Sequence, residues 1–130
     1  MKLTRVQIKY MLLIYELHLK GYVRSCDLAK IMDVTTPCVH RLLEQLIEKN
    51  MVIKKKYAKV SLTESGNIAA LEYYPAYVTF KNFFENTLGS DGNDAIKASL
   101  ALVSELDPTA IRSMCENIAE YKIITDTAAG

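Results

Sequence analysis

The chain has 130 residues, half of them apolar and 24% charged, with a net charge of +1. That is enough to bury one real core or two small ones, and it excludes a disordered chain. No apolar run approaches the roughly 18–20 residues that a membrane span needs, no export signal is recognisable, and three cysteines (Cys26, Cys38, Cys115) without CxxC spacing indicate neither a disulfide framework nor a zinc knuckle, which fits a reducing cytoplasm.

The near-neutral total conceals a division. Residues 1–66 hold 12 Lys/Arg against 6 Asp/Glu, whereas residues 67–130 hold 4 against 9. A basic half gains phosphate affinity through counterion release, and an acidic half is repelled by the same polyanion. Nucleic acid, if bound, meets the N-terminal half.

In chain order, Thr4 and Gln7 form a capping-box pattern that opens a helix running to about Lys20, closed by Gly21. Val6, Tyr10, Leu13, Ile14 and Leu17 make one apolar stripe on it, and Ile8, Leu12, Tyr15 and Leu19 a second, so the helix is buried on two sides. Tyr22–Arg24 is extended. Ser25 then caps a helix over Cys26–Met32, Asp33-Val34 turns the chain, and Thr35 or Thr36 caps the next helix, with Pro37 tolerated in its first turn. Val39, Leu42, Leu43, Leu46 and Ile47 recur at i, i+3, i+4, i+7 and i+8, a core stripe. The opposite face carries Cys38, His40, Arg41, Glu44, Gln45 and Glu48 and is polar and partly basic at its N-terminal end, as suits a helix that enters the major groove by its first residues.

Lys49-Asn50 stops that helix, with Asn in the left-handed position usually taken by Gly. Met51–Lys55 and Lys59–Thr63 alternate as two strands around Lys56-Tyr57-Ala58, a hairpin that reads as a basic wing. Thr63 caps a further helix that runs through Leu71, and Pro75 kinks or restarts it. Val78, Phe80, Phe83, Phe84 and Leu88 give an aromatic stripe. Asn93 caps Asp94–Glu105, and Asp107 with Pro108 opens Thr109–Tyr121, where Ile111, Met114, Cys115, Ile118 and Tyr121 line one face. Residues 125–130 read as a frayed tail.

These elements give a fold class that is mainly α with a small β-wing. Residues 1–66 form a winged helix-turn-helix DNA-binding domain, 67–125 a helical dimerisation domain, and 126–130 a flexible tail. The candidate DNA-binding residues are Ser25, Thr35, Thr36, Pro37, Cys38, His40, Arg41, Lys55, Lys56, Tyr57 and Lys59. Arg41 offers a bidentate fork to guanine O6/N7. The threonine hydroxyls and the first free N–H groups of the helix suit phosphate, and the lysines supply affinity and salt dependence rather than base specificity. Cys38 is either a small residue fitted to the groove or, at a helix N-terminus that lowers thiol pKa, a redox sensor. Tyr57 either stacks on sugar or caps the turn, and His18 is a solvated side chain.

The run IYEL–GYVRSCDLAKIMDVTTPCVHRLLEQLIEKNMVIKKKYAKVSLTESGNIAA, ending in LTESG and continuing into FENTLG, resembles the metal-dependent repressors of the diphtheria toxin repressor (DtxR/MntR) family over residues 5 to 122. The resemblance implies a dimeric transcriptional regulator, a repressor, whose helical domain supplies the dimer interface and, in the family, a regulatory metal site. Carried over by motif, the family's ligand positions fall on Lys9 and Leu12 in the first helix, Tyr77 and Lys81 in the linker helix, and Ile96, Ser99 and Leu100 in the next. None is a plausible ligand, and 93–106 contains neither His nor Cys. Lysines where carboxylates would sit disfavour a cation further. The expectation is therefore a regulator with no divalent-metal cofactor, no iron or manganese control and no catalytic activity, partnered by a palindromic operator duplex and a second copy of itself. The alternative is a winged-helix protein-interaction module without sequence-specific DNA binding.

Overall fold

The computed structural model describes residues 2–129. Its order is α1 (Arg5–His18), β1 (Val23–Arg24), α2 (Ser25–Met32), α3 (Thr36–Glu48), β2 (Val52–Lys54), a 3-10 turn (Lys56–Ala58), β3 (Lys59–Leu62), α4 (Glu64–Asn82), a π turn (Phe83–Thr87), α5 (Gly92–Glu105) and α6 (Pro108–Ala129). The fold is mainly helical, a winged helix followed by helices, as the sequence implies. The chain forms two compact units, Met1–Tyr74 and Pro75–Gly130.

In the first unit, α1 opens on the expected capping box: the Thr4 hydroxyl accepts from the Gln7 N–H at 3.2 Å, and the Gln7 side chain accepts from the Thr4 N–H at 3.0 Å. Met11, Leu12, Leu13 and Ile14 are all fully buried, which only a helix covered on more than one side achieves. The helix ends at His18 rather than Lys20, while Val6 and Leu19, at the ends of the two stripes, are exposed. The helical core closes on a three-stranded antiparallel sheet of order β1-β3-β2, with Val23 opposite Val60 and Val52 opposite Leu62. Val23, Val52 and Val60 turn inward and are buried. The two expected strands are therefore shorter than read, and Tyr22–Arg24 supplies a third.

Gly66 is fixed by a close approach. A Cβ there would stand 2.1 Å from the Met51 carbonyl oxygen, because the first turn of α4 lies directly on the chain entering the wing. Thr63 locks this corner, its hydroxyl accepting from the Gly66 N–H at 3.0 Å and donating to the Asn50 carbonyl at 2.7 Å. Further along α4, the Tyr74 ring sits edge-on to Tyr15 at 4.8 Å. Burial, and then the neighbouring Glu16 carboxylate, raise the Tyr74 phenol above its ordinary pKa. These contacts tie the first turns of α4 to the winged helix, which is why the division lies at 74/75 and differs from the boundary at 66/67 read from the sequence. α4 runs through Pro75 without ending.

In the second unit Tyr77, Phe80, Ala95, Ile96, Leu100 and Val103 are buried. Asp91, not Asn93, caps α5, its carboxylate accepting from the Asn93 N–H at 2.9 Å, so the helix starts two residues earlier than expected. Asp107 caps α6 as expected, accepting from the Ala110 N–H at 2.8 Å. The expected tail is corrected: α6 continues to Ala129, with the Thr127 hydroxyl donating to the Ile123 carbonyl at 2.8 Å. Gly130 lies outside the described residues. Met114 and Tyr121 on α6 remain exposed, and so does Leu88. Phe80, Phe83, Phe84, Leu102, Ile118 and Tyr121 border an open apolar hollow of about 400 Å³, with Phe83 and Tyr121 edge-to-face at 6.1 Å.

Candidate nucleic-acid interface

The helix-turn-helix is built by local chemistry. Asp33 adopts a left-handed conformation (φ 54°) and ends α2, the Val34 N–H bonds back to the Ala29 carbonyl at 3.1 Å, and the chain enters α3 in two residues. Thr35, rather than Thr36, is the cap, its hydroxyl accepting from the Cys38 N–H at 3.3 Å, with Pro37 in the first turn. Replacing Thr35 by alanine is expected to lower stability by about 1 kcal/mol, with Thr35→Ser near wild type in urea unfolding; an unchanged midpoint for the alanine variant would show that the cap is dispensable.

Val39, Leu42, Leu43 and Leu46 are buried under α3. Ile47, expected with them, is exposed, because the helix reaches its last turn there and leaves the core. Thr35, Thr36, Pro37, Cys38 and Arg41 are exposed on the N-terminal half, and His40 is half-buried. Arg41 borders a hollow of about 320 Å³ between α1 and α3 that Thr4, Val6, Tyr10, Cys38 and Gln45 also line. Burial, and secondarily Cys38, raise the Tyr10 phenol above its ordinary pKa.

Ser25 does not join this surface. It is buried, its hydroxyl has no hydrogen-bond partner, and it is the first residue of α2 rather than its cap. The Asp27 carboxylate accepts from the Arg24 N–H at 3.0 Å, which moves the helix start back by one residue. Ser25 is thereby removed from the candidate contacts.

Beside α3, the wing presents Lys54, Lys55 and Lys56 to solvent. Tyr57 stands at the tip in a left-handed conformation (φ 63°), 82% exposed. The Lys55 N–H donates to the Lys59 carbonyl at 2.7 Å, extending the pairing beyond the last strand residue. Lys59 is half-buried, with its ammonium 3.8 Å over the Tyr22 ring, a cation–π contact that draws it away from the tip. It is not equivalent to Lys55 and Lys56.

The sequence reading passed over Arg24. Arg24 pairs with Lys59 across β1 and β3, and Lys59 is bonded in turn to Lys55, so three cations cross the sheet in a row. Like charges directly opposite each other disfavour pairing, and an external anion offsets that cost. The alternation of exposed Tyr22, buried Val23 and exposed Arg24 was the available signal; the strand partner was not.

The residues at the family's ligand positions do not fit a metal ion. Leu12, Tyr77, Ser99 and Leu100 are fully buried, Ile96 nearly so, and none but Tyr77 and Ser99 carries even a hydroxyl. Lys81 lies 3.9 Å from Glu85, one helical turn on, and Lys9 is half-buried. Among the described residues no three His, Cys, Asp or Glu side chains gather to hold a cation, and no helix is long and apolar enough to cross a membrane.

No family model matches the sequence, and no curated protein sequence does either. Solved structures do match. The manganese regulator SloR aligns over 93% of this chain and 55% of its own, with 22% identity and a TM-score of 0.63. IdeR from T. acidophilum aligns over 92% and 55%, with 22% identity and a TM-score of 0.66. A manganese-dependent transcriptional repressor solved with manganese aligns over 87% and 52%, with 18% identity and a TM-score of 0.62. The chain spans about half the length of these regulators. At these identities the likeness is one of fold, and the fold is the one that the sequence resemblance implies.

Proposed function

We propose that the protein is a dimeric, DNA-binding transcriptional regulator of the DtxR-like type, a repressor in the cytoplasm, without catalytic activity and outside iron or manganese control. The observation that carries the reading is the pairing of two surfaces in one unit: the exposed N-terminal half of α3, with Thr35, Thr36, Pro37, Cys38 and Arg41, and the exposed lysines of the adjoining wing. A helix whose opposite face is fully spent on the core has its polar N-terminal turn free for a groove. Lysines on a projecting hairpin meet phosphates rather than bases. Arg41 reads guanine, Thr35 and Thr36 hold phosphate at the start of α3, and Lys55 and Lys56 follow the backbone. Cys38, Pro37 and His40 shape the contact, and Tyr57 meets the sugar edge. The fold shared with solved transcriptional regulators supports the assignment.

The apolar hollow of the second unit, with Met114 and Tyr121 exposed beside it, supports a second copy as its cover. Two copies related by a two-fold axis read a palindrome. The test is selection of bound sequences from a random duplex library, with and without added metal. Enrichment of one inverted repeat in both arms is expected. Failure to enrich any sequence would favour a protein-interaction module on the same fold.

The loss of metal control has its own measurement. Calorimetry with Mn²⁺, Fe²⁺ and Co²⁺ is expected to show no stoichiometric binding, because the ligand positions hold apolar, hydroxyl and ammonium groups. One tight ion per chain would overturn this.

A further inference from the structure

Gln7 does more than complete the cap of α1. The residue is 3% exposed, and its Oε1, already accepting from the Thr4 N–H at 3.0 Å, also accepts from Lys49 Nζ at 2.6 Å. Its Nε2 donates to Gln45 Oε1 at 3.1 Å. Lys49 Nζ donates again, to the Lys2 carbonyl at 2.8 Å. Both lone pairs of the amide oxygen are therefore filled. One side chain joins the start of α1 to the end of α3, and Lys49 adds the segment that leads into α1.

The two ends of α3 are held differently. Its C-terminal end is tied by these directional bonds, whereas among the described residues its N-terminal half is held by its own Thr35 cap and by burial of the Val39 and Leu42 side chains. Apolar burial is non-directional and leaves rotation and sliding weakly opposed, while a buried, satisfied polar network admits one arrangement. A rigid helix pinned at one end has its other end aimed.

We propose that Gln7, Gln45 and Lys49 form a positioning clamp that sets the angle at which α3 presents Cys38 and Arg41 to DNA, an inference that rests on the function proposed above. In it Lys49 is a positioning residue and not a phosphate contact, since the residue is half-buried and its ammonium is engaged by two acceptors.

The test compares wild type, Lys49→Met, Gln7→Ala, Gln7→Glu and the double variant Gln7→Ala/Lys49→Met. Each is titrated with the selected duplex and a scrambled one over a range of salt, after a thermal melt has established that it is folded. Lys49→Met and Gln7→Ala should each lower the specific-to-scrambled affinity ratio about ten-fold, with the double variant no worse than either single one, as members of one network behave. Affinity for the scrambled duplex and the slope of log K against log salt should not move. Gln7→Glu keeps oxygens for Thr4 and Lys49, and Gln45 can donate to it once its amide turns over, so this variant should recover most of the ratio; Lys49→Met tests the clamp without touching the cap of α1 should Gln7→Ala fail to fold. A salt slope reduced by about one in Lys49→Met would make it a phosphate contact and overturn the clamp. So would losses that multiply in the double variant, or variants that discriminate as wild type does. A wild type that prefers no duplex overturns the DNA reading, and the clamp with it.

Discussion

Arg41→Ala is expected to weaken binding to the selected duplex by about 1–3 kcal/mol, or roughly 5- to 150-fold, and to flatten the preference at one base pair of each half-site. The guanidinium lies on the exposed face of α3, one turn after Cys38, where a bidentate fork is offered without rearranging the core. Lys55→Ala/Lys56→Ala should behave differently. Those lysines are exposed on the wing, so their loss should weaken every duplex alike and reduce the slope of log K against log salt by about two. Fluorescence anisotropy at several salt concentrations separates the two signatures. If Arg41→Ala lowered all affinities equally, it would be a backbone contact; if neither variant changed binding, α3 and the wing would not be the reading surface.

Gly66→Ala is expected to be the most damaging small substitution in the winged helix. The added methyl would meet a backbone oxygen at 2.1 Å, and that oxygen belongs to Met51, whose carbonyl accepts from the Thr63 N–H at 3.0 Å. It cannot retreat without opening the corner where β2 begins. A cost of about 3 kcal/mol, at the upper end for overpacking, is expected, lowering Tm by roughly 10 °C. Gly92→Ala is the control, because nothing lies within 4 Å of a Cβ there. A Gly66→Ala melt indistinguishable from Gly92→Ala would show that the corner yields easily.

Much of the winged helix was legible because its signals are local. The Thr4/Gln7 box, the Val39–Leu46 stripe and the left-handed Asn50 (φ 59°) each depend on residues within a turn or two. The misreadings have physical causes. Ser25 has a capping side chain, but Asp27 two residues later satisfies the Arg24 N–H and shifts the helix start. In DGND every residue but glycine can cap, and Asp91 prevails by accepting from Asn93. The end of α6 contains no Gly or Pro before residue 130 to stop it, so the helix continues although its Ile and Thr residues are weak helix formers. Lys59 looked like its neighbours because its attachment to Tyr22 spans 37 positions of sequence. The hydrogen bonds from Gln7 to α3 are equally long-range and left no trace in any window of the chain.

The row formed by Arg24, Lys59 and Lys55 would couple the stability of the wing thermodynamically to any polyanion bound there. In the free protein the mutual repulsion is relieved only partly, by the Tyr22 ring under Lys59 and by dissolved ions. Added salt therefore steadies the unbound sheet while it weakens any complex with a polyanion. Phosphates approaching the row would screen the same charges, so part of the salt dependence of such a complex would come from the protein's own cations. Affinity should accordingly fall with salt more steeply than a count of neutralised phosphates alone requires. The excess belongs to the protein rather than to the nucleic acid.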